Sequence, residues 1–289
     1  MGPRKRAIWD SRRWKSLRNE PARELTERTL LVPALWSGSV EHYYHFLFGY
    51  LMPIVLWSEG TGLRKATVRK CGPLQPWLEF VSEHLDLEVI PPGLMLQRLV
   101  RADQDHGILA PLDDPRSFSR EHIARFAEIT RAWAGTSDMR SNRVTIVFRG
   151  TSAPFFNSPE VEIPESAATR RTVPNLAELS ALLPEGAPID IVDLEQLSPS
   201  EQIAQLSSTR LLIAQHGAAL ASMIWMPPGA AVLEIQPPQS AEVATMFEQL
   251  AAACGLAYSL VPQEHDHAPV DLRQFSEIAV LLESKIRIA

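Results

Sequence analysis

The sequence predicts an α/β fold built on open, parallel, doubly wound sheets, and two observations carry that expectation. In the carboxyl half, short apolar runs of strand length alternate with segments of helical periodicity, the pattern of βαβ units. Within that half, the run RLLIAQ (210–215) stops at His216-Gly217, and small residues then open a helix at Ala218. Pro227-Pro228-Gly229 ends this helix, and a second buried strand, AAVLEI (230–235), follows. A strand, a tight glycine turn and a helix N-terminus suit an anion, because the first amides of a helix lack intrahelical partners.

The elements are read in chain order. TLLVPALW (29–36) reads as a strand and Glu41–Trp57 as a buried helix, despite Pro53. KATVRK, LEVIP and LMLQRLVRA look like strands, and Leu74–Leu85 looks like a helix between the first two. Phe118–Trp133 has apolar residues at helical spacing and a serine at its start. RVTIVF (143–148) is a strand, Asn175–Leu183 a helix, IDIVDL (189–194) a strand, and Pro199–Leu206 a helix that Ser198 is placed to cap. RLLIAQ, the helix Ala218–Trp225 and AAVLEI come next. Ser240–Cys254 is a helix stopped by Gly255, AYSLV a strand, and Val270–Ile288 a final helix. The polar stretch Ala134–Asn142 is the expected boundary between two α/β halves facing a cleft. This gives a basic arm over 1–28, a first domain over 29–136 and a second over 137–289.

Composition narrows the function. The chain of 289 residues is 45% hydrophobic and 21% charged, an ordinary globular balance. Its net charge of −6 argues against nucleic acid as the main partner. Cys71 and Cys254 form neither a disulfide framework nor a zinc spacing and are expected to be small buried residues. The N-terminus lacks the apolar core of a signal peptide, and the most apolar run, Tyr43–Trp57, is shorter than a membrane span of about 20 residues. A cytoplasmic location is therefore expected. The first 25 residues hold eight Lys/Arg against three Asp/Glu, with Trp9 and Trp14 among them. They read as a solvated arm, or as a weak anchor to an anionic membrane face.

Ligands of open α/β sheets bind outside the carboxyl ends of the strands. That rule selects Arg149-Gly150 after RVTIVF, His216-Gly217-Ala218 after RLLIAQ, and Glu234 near the end of AAVLEI. A guanidinium and backbone amides suit a diphosphate, and a carboxylate suits sugar hydroxyls. Neither GxGxxG nor GxxxxGK[ST] occurs, which excludes the common dinucleotide and NTPase loops.

These segments together resemble the glycosyltransferase family 61 group. YHFLFGYLMPI (44–54) is similar to the family's N-terminal histidine motif, and RVTIVFRG to the strand that ends in its arginine. RTVPNLAEL (171–179) is similar to its arginine-to-Glu-Leu element. QHGAALASMIWMPPGAAVLEIQP (215–237), the most specific part, is similar to its HGA-to-Glu core, and the terminal VDLRQFSEI also fits. The resemblance runs from about Leu31 to the C-terminus. It implies a GT-B-like fold of two Rossmann-like, doubly wound domains. It also implies a nucleotide-sugar donor, a UDP-sugar foremost, held by the carboxyl half, with inverting transfer to a glycan or lipid-linked glycan and neither metal nor cofactor. Carried over by position, Arg149 and Arg171 would neutralise the diphosphate, and the backbone of His216, Gly217 and Ala218 would cradle it. Glu234 and Asn175 would meet the nucleoside or sugar.

The acceptor side departs from the family pattern. Where some members place an aspartate four residues after the histidine, this chain has Gly49 after His45, followed by Tyr50. An inverting transfer needs a general base for the acceptor hydroxyl. His45 is the leading candidate, because imidazole titrates in the right range; His42, Glu41 and Asp105 are alternatives. Asp103-Gln104-Asp105 matches the short DxD pattern, and Glu264-His265-Asp266-His267 contains ligand-type residues. The first is read as chance and the second as a solvated turn. A polysaccharide pyruvyltransferase-like enzyme and a non-catalytic sugar-nucleotide or glycan binder are the competing functions, the latter because of Gly49.

Overall fold

The computed structural model describes residues 29–32, 42–62, 65–91, 94–95, 106–108, 119–136, 142–151, 155–158, 161–163, 170–183, 186–238 and 245–286. The basic arm, Glu41 and Asp103–Asp105 lie outside the described residues. The chain divides into two compact units, Met1–Pro115 and Arg116–Ala289.

In the first unit, β1 (Thr29–Val32) is followed by α1 (Tyr43–Phe46), a π turn (Leu47–Leu51) and α2 (Met52–Thr61), which run on as one helical segment. Phe46, Leu47, Tyr50, Leu51, Met52, Ile54 and Val55 are all buried, as a segment apolar on every side requires. Pro53 has no N–H for the carbonyl four residues back, and the helix widens to a π turn immediately before it. Gly62, with φ +70°, ends α2 by donating its N–H to Ser58. Then come β2 (Lys65–Arg69), α3 (Gln75–Ser82), β3 (Asp86–Ile90) and β4 (His106–Ile108). The sheet order is β3-β2-β1-β4, with every pairing parallel. Of LMLQRLVRA, expected as a strand, Leu94 and Met95 are helical, closed by their N–H groups on the Pro91 carbonyl, and the rest is outside the described residues. Pro91 directly follows the last residue of β3.

The second unit contains α4 (Arg120–Trp133), β5 (Arg143–Val147), β6 (Phe155–Ser158), β7 (Val161–Ile163), α5 (Leu176–Ala181), β8 (Ile189–Val192) and α6 (Pro199–Ser207). It continues with β9 (Thr209–Gln215), a 3-10 helix (Ala218–Trp225), β10 (Ala231–Gln236), α7 (Met246–Cys254), β11 (Ala257–Pro262) and α8 (Leu272–Ile286). The five-stranded sheet runs β8-β5-β9-β10-β11, all parallel, while β6 and β7 pair separately as an antiparallel hairpin. Counted within the unit, the order is second, first, third, fourth, fifth, one of the two common doubly wound orders. Alternate strand residues face opposite sides. Val144, Ile146, Leu211, Ile213, Ala231, Leu233 and Ile235 share one core with Leu179 of α5 and Phe275, Ala279 and Leu282 of α8. Thr145, Leu212, Ala214, Val232 and Glu234 face the other side, where α4, α6, α7 and the 3-10 helix pack together.

That packing places α4 in the second unit, ahead of the 134–142 stretch expected to divide the halves. Trp225 donates its Nε1–H to Thr130 Oγ1 of α4 at 2.9 Å and lies 6.3 Å from the Phe126 ring. Arg120, at the start of α4, donates to the Ala252 and Ala253 carbonyls at the end of α7. The α6 cap expected at Ser198 is a full capping box with Glu201. The segment 218–225 is a 3-10 helix and not the expected α-helix. Among the described residues no helix is long and apolar enough to cross a membrane.

Candidate active site

A doubly wound sheet of this order has its crevice where the chain leaves the first strand in one direction and the third in the other. Here that switch point lies between the carboxyl ends of β5 and β9. Arg149 follows β5 by two residues, and His216 directly follows β9. Arg149 Nη2 donates to the His216 carbonyl at 2.7 Å, and Arg171 Nη1 donates to the same oxygen at 3.2 Å. The strand-end rule and the two expected arginines therefore meet at one atom.

Gly217 makes this approach feasible. Its φ of +155° with ψ −178° belongs to glycine, and a Cβ there would lie 1.8 Å from Arg149 Nη2. Arg149 thus lies flat on the backbone of the turn. A Cβ at Gly150 would meet Asp193 Oδ2 at 2.0 Å, so that carboxylate would have to move aside. Gly217, Ala218 and Ala219 are half-exposed within a segment otherwise buried from Leu211 through Met226, apart from its ends. The HGA turn is where a core segment surfaces.

The site is cationic. Burial, and then the neighbouring Arg171 and Arg170 charges, lower the Arg149 guanidinium to about 10, with Glu195 and Asp266 acting the other way. Arg171, 8% exposed, pairs through Nε with Asp266 Oδ1 at 2.8 Å. Asp266 also accepts the Thr172 N–H and the Gln215 amide on its backbone carbonyl. Gln215 Nε2 bonds Gln263 Oε1 at 2.6 Å, and Gln263 Nε2 reaches the Thr172 carbonyl at 2.9 Å. These bonds fix the Arg171 loop and the 263–268 turn to the end of β9.

Behind the turn lies a buried polar chain. Glu234 has no exposed surface. Its Oε1 is 2.6 Å from His216 Nδ1, and its Oε2 accepts the Tyr258 hydroxyl at 2.5 Å. A carboxylate only accepts, so the proton on the His216 ring is assigned to Nδ1. The Phe247 ring stands edge-on to His216 at 5.3 Å. Burial, followed by the Glu234 charge, pushes the Tyr258 phenol well above its ordinary value, so it stays a donor. Glu234, expected to meet ribose or sugar, spends both oxygens inside the fold. Asn175, expected beside it, also turns inward: its amide donates to the Val270 carbonyl and accepts the Val270 N–H, tying the start of α5 to the chain before α8.

In the first unit, His42, the N-cap of α1, and His45 are half-exposed beside the buried Tyr44 and Phe46, with rings 6.3 Å apart. Burial, then the His42 charge, lowers the His45 pKa from 6.5. Gly49 is half-exposed within the π turn. Tyr50 is fully buried, and its hydroxyl accepts the Arg69 N–H at 2.7 Å, a structural role. Asp105 lies outside the described residues.

Asp266 and Tyr258 were missed by the sequence reading. Asp266 sits in the segment read as a solvated turn, four residues beyond the end of β11. Tyr258 gives no motif signal; only the parallel register, which sets β11 beside β10, brings it to Glu234. Among the described residues no three His, Cys, Asp or Glu side chains are grouped to hold a metal. Cys71 is buried, its thiol donating to the Arg69 carbonyl at 3.2 Å, and Cys254 is half-buried; neither is in a disulfide.

No curated protein matches the chain. The family model described as Glycosyltransferase 61 matches residues 43–233. This span runs from the histidine-bearing helix to the residue before Glu234 and takes in both arginines and the HGA turn. It covers well over half of the sequence, and the chain belongs to the glycosyltransferase 61 family.

Proposed function

We propose that this glycosyltransferase moves a sugar from a nucleoside diphosphate donor, a UDP-sugar, to a hydroxyl of a glycan or polysaccharide acceptor, with inversion and without a metal. One observation carries the reading: two guanidinium groups, Arg171 buried and Arg149 half-buried, converge on the His216 carbonyl at the switch point of a parallel sheet. Three guanidinium groups, Arg149, Arg170 and Arg171, stand against the carboxylates of Asp266 and Glu195, and the remaining positive charge suits an anion.

In this reading the acceptor oxygen attacks the anomeric carbon from the face opposite the diphosphate. The bond from that carbon to the phosphate oxygen breaks, and its electron pair leaves on the nucleoside diphosphate. Arg149, Arg171 and the amides of the Gly217-Ala218 turn stabilise the growing negative charge, the task a metal performs in other transferases. His45 takes the acceptor proton; its lowered pKa keeps the imidazole neutral and able to accept. Glu234 and Asn175 act from within, holding His216 and the α5 loop. The family resemblance supports a GT-B-like chain with the acceptor served by the first unit and the donor by the second. A lipid-linked glycan assembled at the inner membrane face, with the basic arm as a weak surface contact, suits a cytoplasmic enzyme.

Binding of nucleoside diphosphates, followed by calorimetry and by melting temperature, tests the donor. UDP is expected to bind and to raise the melting temperature, and Arg149→Ala and Arg171→Ala each to weaken binding roughly ten- to a hundredfold, the range for a lost charged hydrogen bond. No binding of any nucleoside diphosphate at millimolar concentration would overturn the reading. Gly49 favours a second reading, a binder without turnover. It is refuted if labelled nucleotide sugar is hydrolysed or transferred and Arg149→Ala abolishes this with the fold intact.

A further inference from the structure

A cavity of about 410 Å³ lies beside the arginine pair, within the range of about 300–1,000 Å³ usual for small-molecule sites. It sits at the ends of β5 and β8, against the start of α5. Its walls are mostly apolar: Phe148, Val173, Pro174, Leu176, Ala177 and Ile191. Phe148 is 37% and Ile191 45% exposed, large for side chains at the end and in the body of strands of a packed sheet. Arg149 lines the same cavity while reaching the His216 carbonyl, and Gln215, the last residue of β9, lines it as well.

We infer that this cavity seats the nucleobase of the donor, which rests on the nucleoside diphosphate reading above. One side chain, Arg149, joins an apolar pocket to an anion site, so the fitting ligand has a flat apolar body linked to a diphosphate. A sugar fits these walls poorly, because its hydroxyls would lose water without finding partners. A heteroaromatic ring covers Phe148 and Ile191 and removes their apolar surface from solvent. The other nucleoside candidates are already committed: Glu234 to His216 and Tyr258, Asn175 to Val270. The base thus lies on the β8 side of the switch point, away from β10 and Glu234.

The test compares UDP with inorganic pyrophosphate by calorimetry on the full chain. Pyrophosphate reports the arginine site alone, and the ratio of the two affinities reports the base. Ala177→Phe fills the cavity from an exposed helical position, and Phe148→Ala removes a wall at the surface. In the unaltered protein UDP is expected to bind about tenfold or more tighter than pyrophosphate, from the apolar surface covered. In both variants the ratio should fall to about threefold or less, with pyrophosphate affinity unchanged. Each ratio is taken within one protein preparation, so a partial loss of folded protein cancels. A ratio unchanged in both variants, while UDP and pyrophosphate still bind, overturns the base pocket and leaves the donor reading standing. Failure of the unaltered protein to bind either ligand overturns the donor reading, and this inference with it.

Discussion

Gly217 carries the strictest requirement in the site. Its φ of +155° and the 1.8 Å approach of Arg149 to the position of a Cβ make two independent demands for glycine. Gly217→Ala is therefore expected to cost about 1–3 kcal/mol of backbone strain and to displace the guanidinium. A lower urea midpoint together with a lost UDP-induced melting shift is the expected pair of results; a variant that keeps the full shift would show that the close approach is dispensable. Tyr258→Phe tests the buried chain behind the turn. It removes one donor from a carboxylate with no exposed surface and should cost about 1–3 kcal/mol in denaturant unfolding. Nucleotide affinity should fall with it, because His216 carries the carbonyl on which both arginines converge. His45 supplies a pH signature. Burial and His42 lower its pKa, so the neutral, proton-accepting form persists below pH 6.5 and is lost only as pH falls through the lowered value. The acid limb of kcat/KM should lie below 6.5, and His42→Ala should move it upward without carrying it past 6.5, since burial, the larger cause, remains. An acid limb at or above 6.5 would remove His45 as the base.

At the scale of elements, legibility followed the length and regularity of the apolar pattern. β9 and β10 were readable because parallel strands buried on both faces give continuous apolar runs, and Ser198 announced α6 through its capping box. β4 and the β6-β7 hairpin are three or four residues each, too short for a period to emerge. Segment 218–225 was found as a helix but not as a 3-10 helix, because propensity does not distinguish the two; the segment is tied to α4 through Trp225. That contact also explains why the boundary between the units falls before α4: the sequence shows an amphipathic helix but not the sheet to which its apolar stripe turns. Trp225→Phe, which deletes the bond to Thr130 and leaves space beside Phe126, should lower stability by about 2–3 kcal/mol in urea unfolding. A change under about 0.5 kcal/mol would mean that this tie does not secure α4.

At the scale of the molecule, the site was legible as far as one rule of α/β sheets reaches. Strand ends gave Arg149 and His216 from the sequence, and the family pattern added Arg171. The two carboxylates depart from their expected roles for opposite reasons. Glu234 carries the right register but points into the helix layer, whereas Asp266 reaches the site from a turn whose composition resembles any solvated loop. A donor held at the switch point of the second sheet should leave its mark across that whole site at once, since Thr172, Gln215, Gln263 and Asp266 are joined by hydrogen bonds to the arginine loops. Hydrogen exchange of the full chain with and without saturating UDP reads this directly. Opening reactions that break the site become rarer by the binding free energy, about 2.7 kcal/mol at a hundredfold excess over Kd, so exchange through them slows about a hundredfold. Protection is expected together in peptides covering 147–151, 170–177, 211–221 and 262–268. Protection confined to peptides of the β1–β4 sheet would place the nucleotide in the first unit and reverse the assignment of donor and acceptor sides.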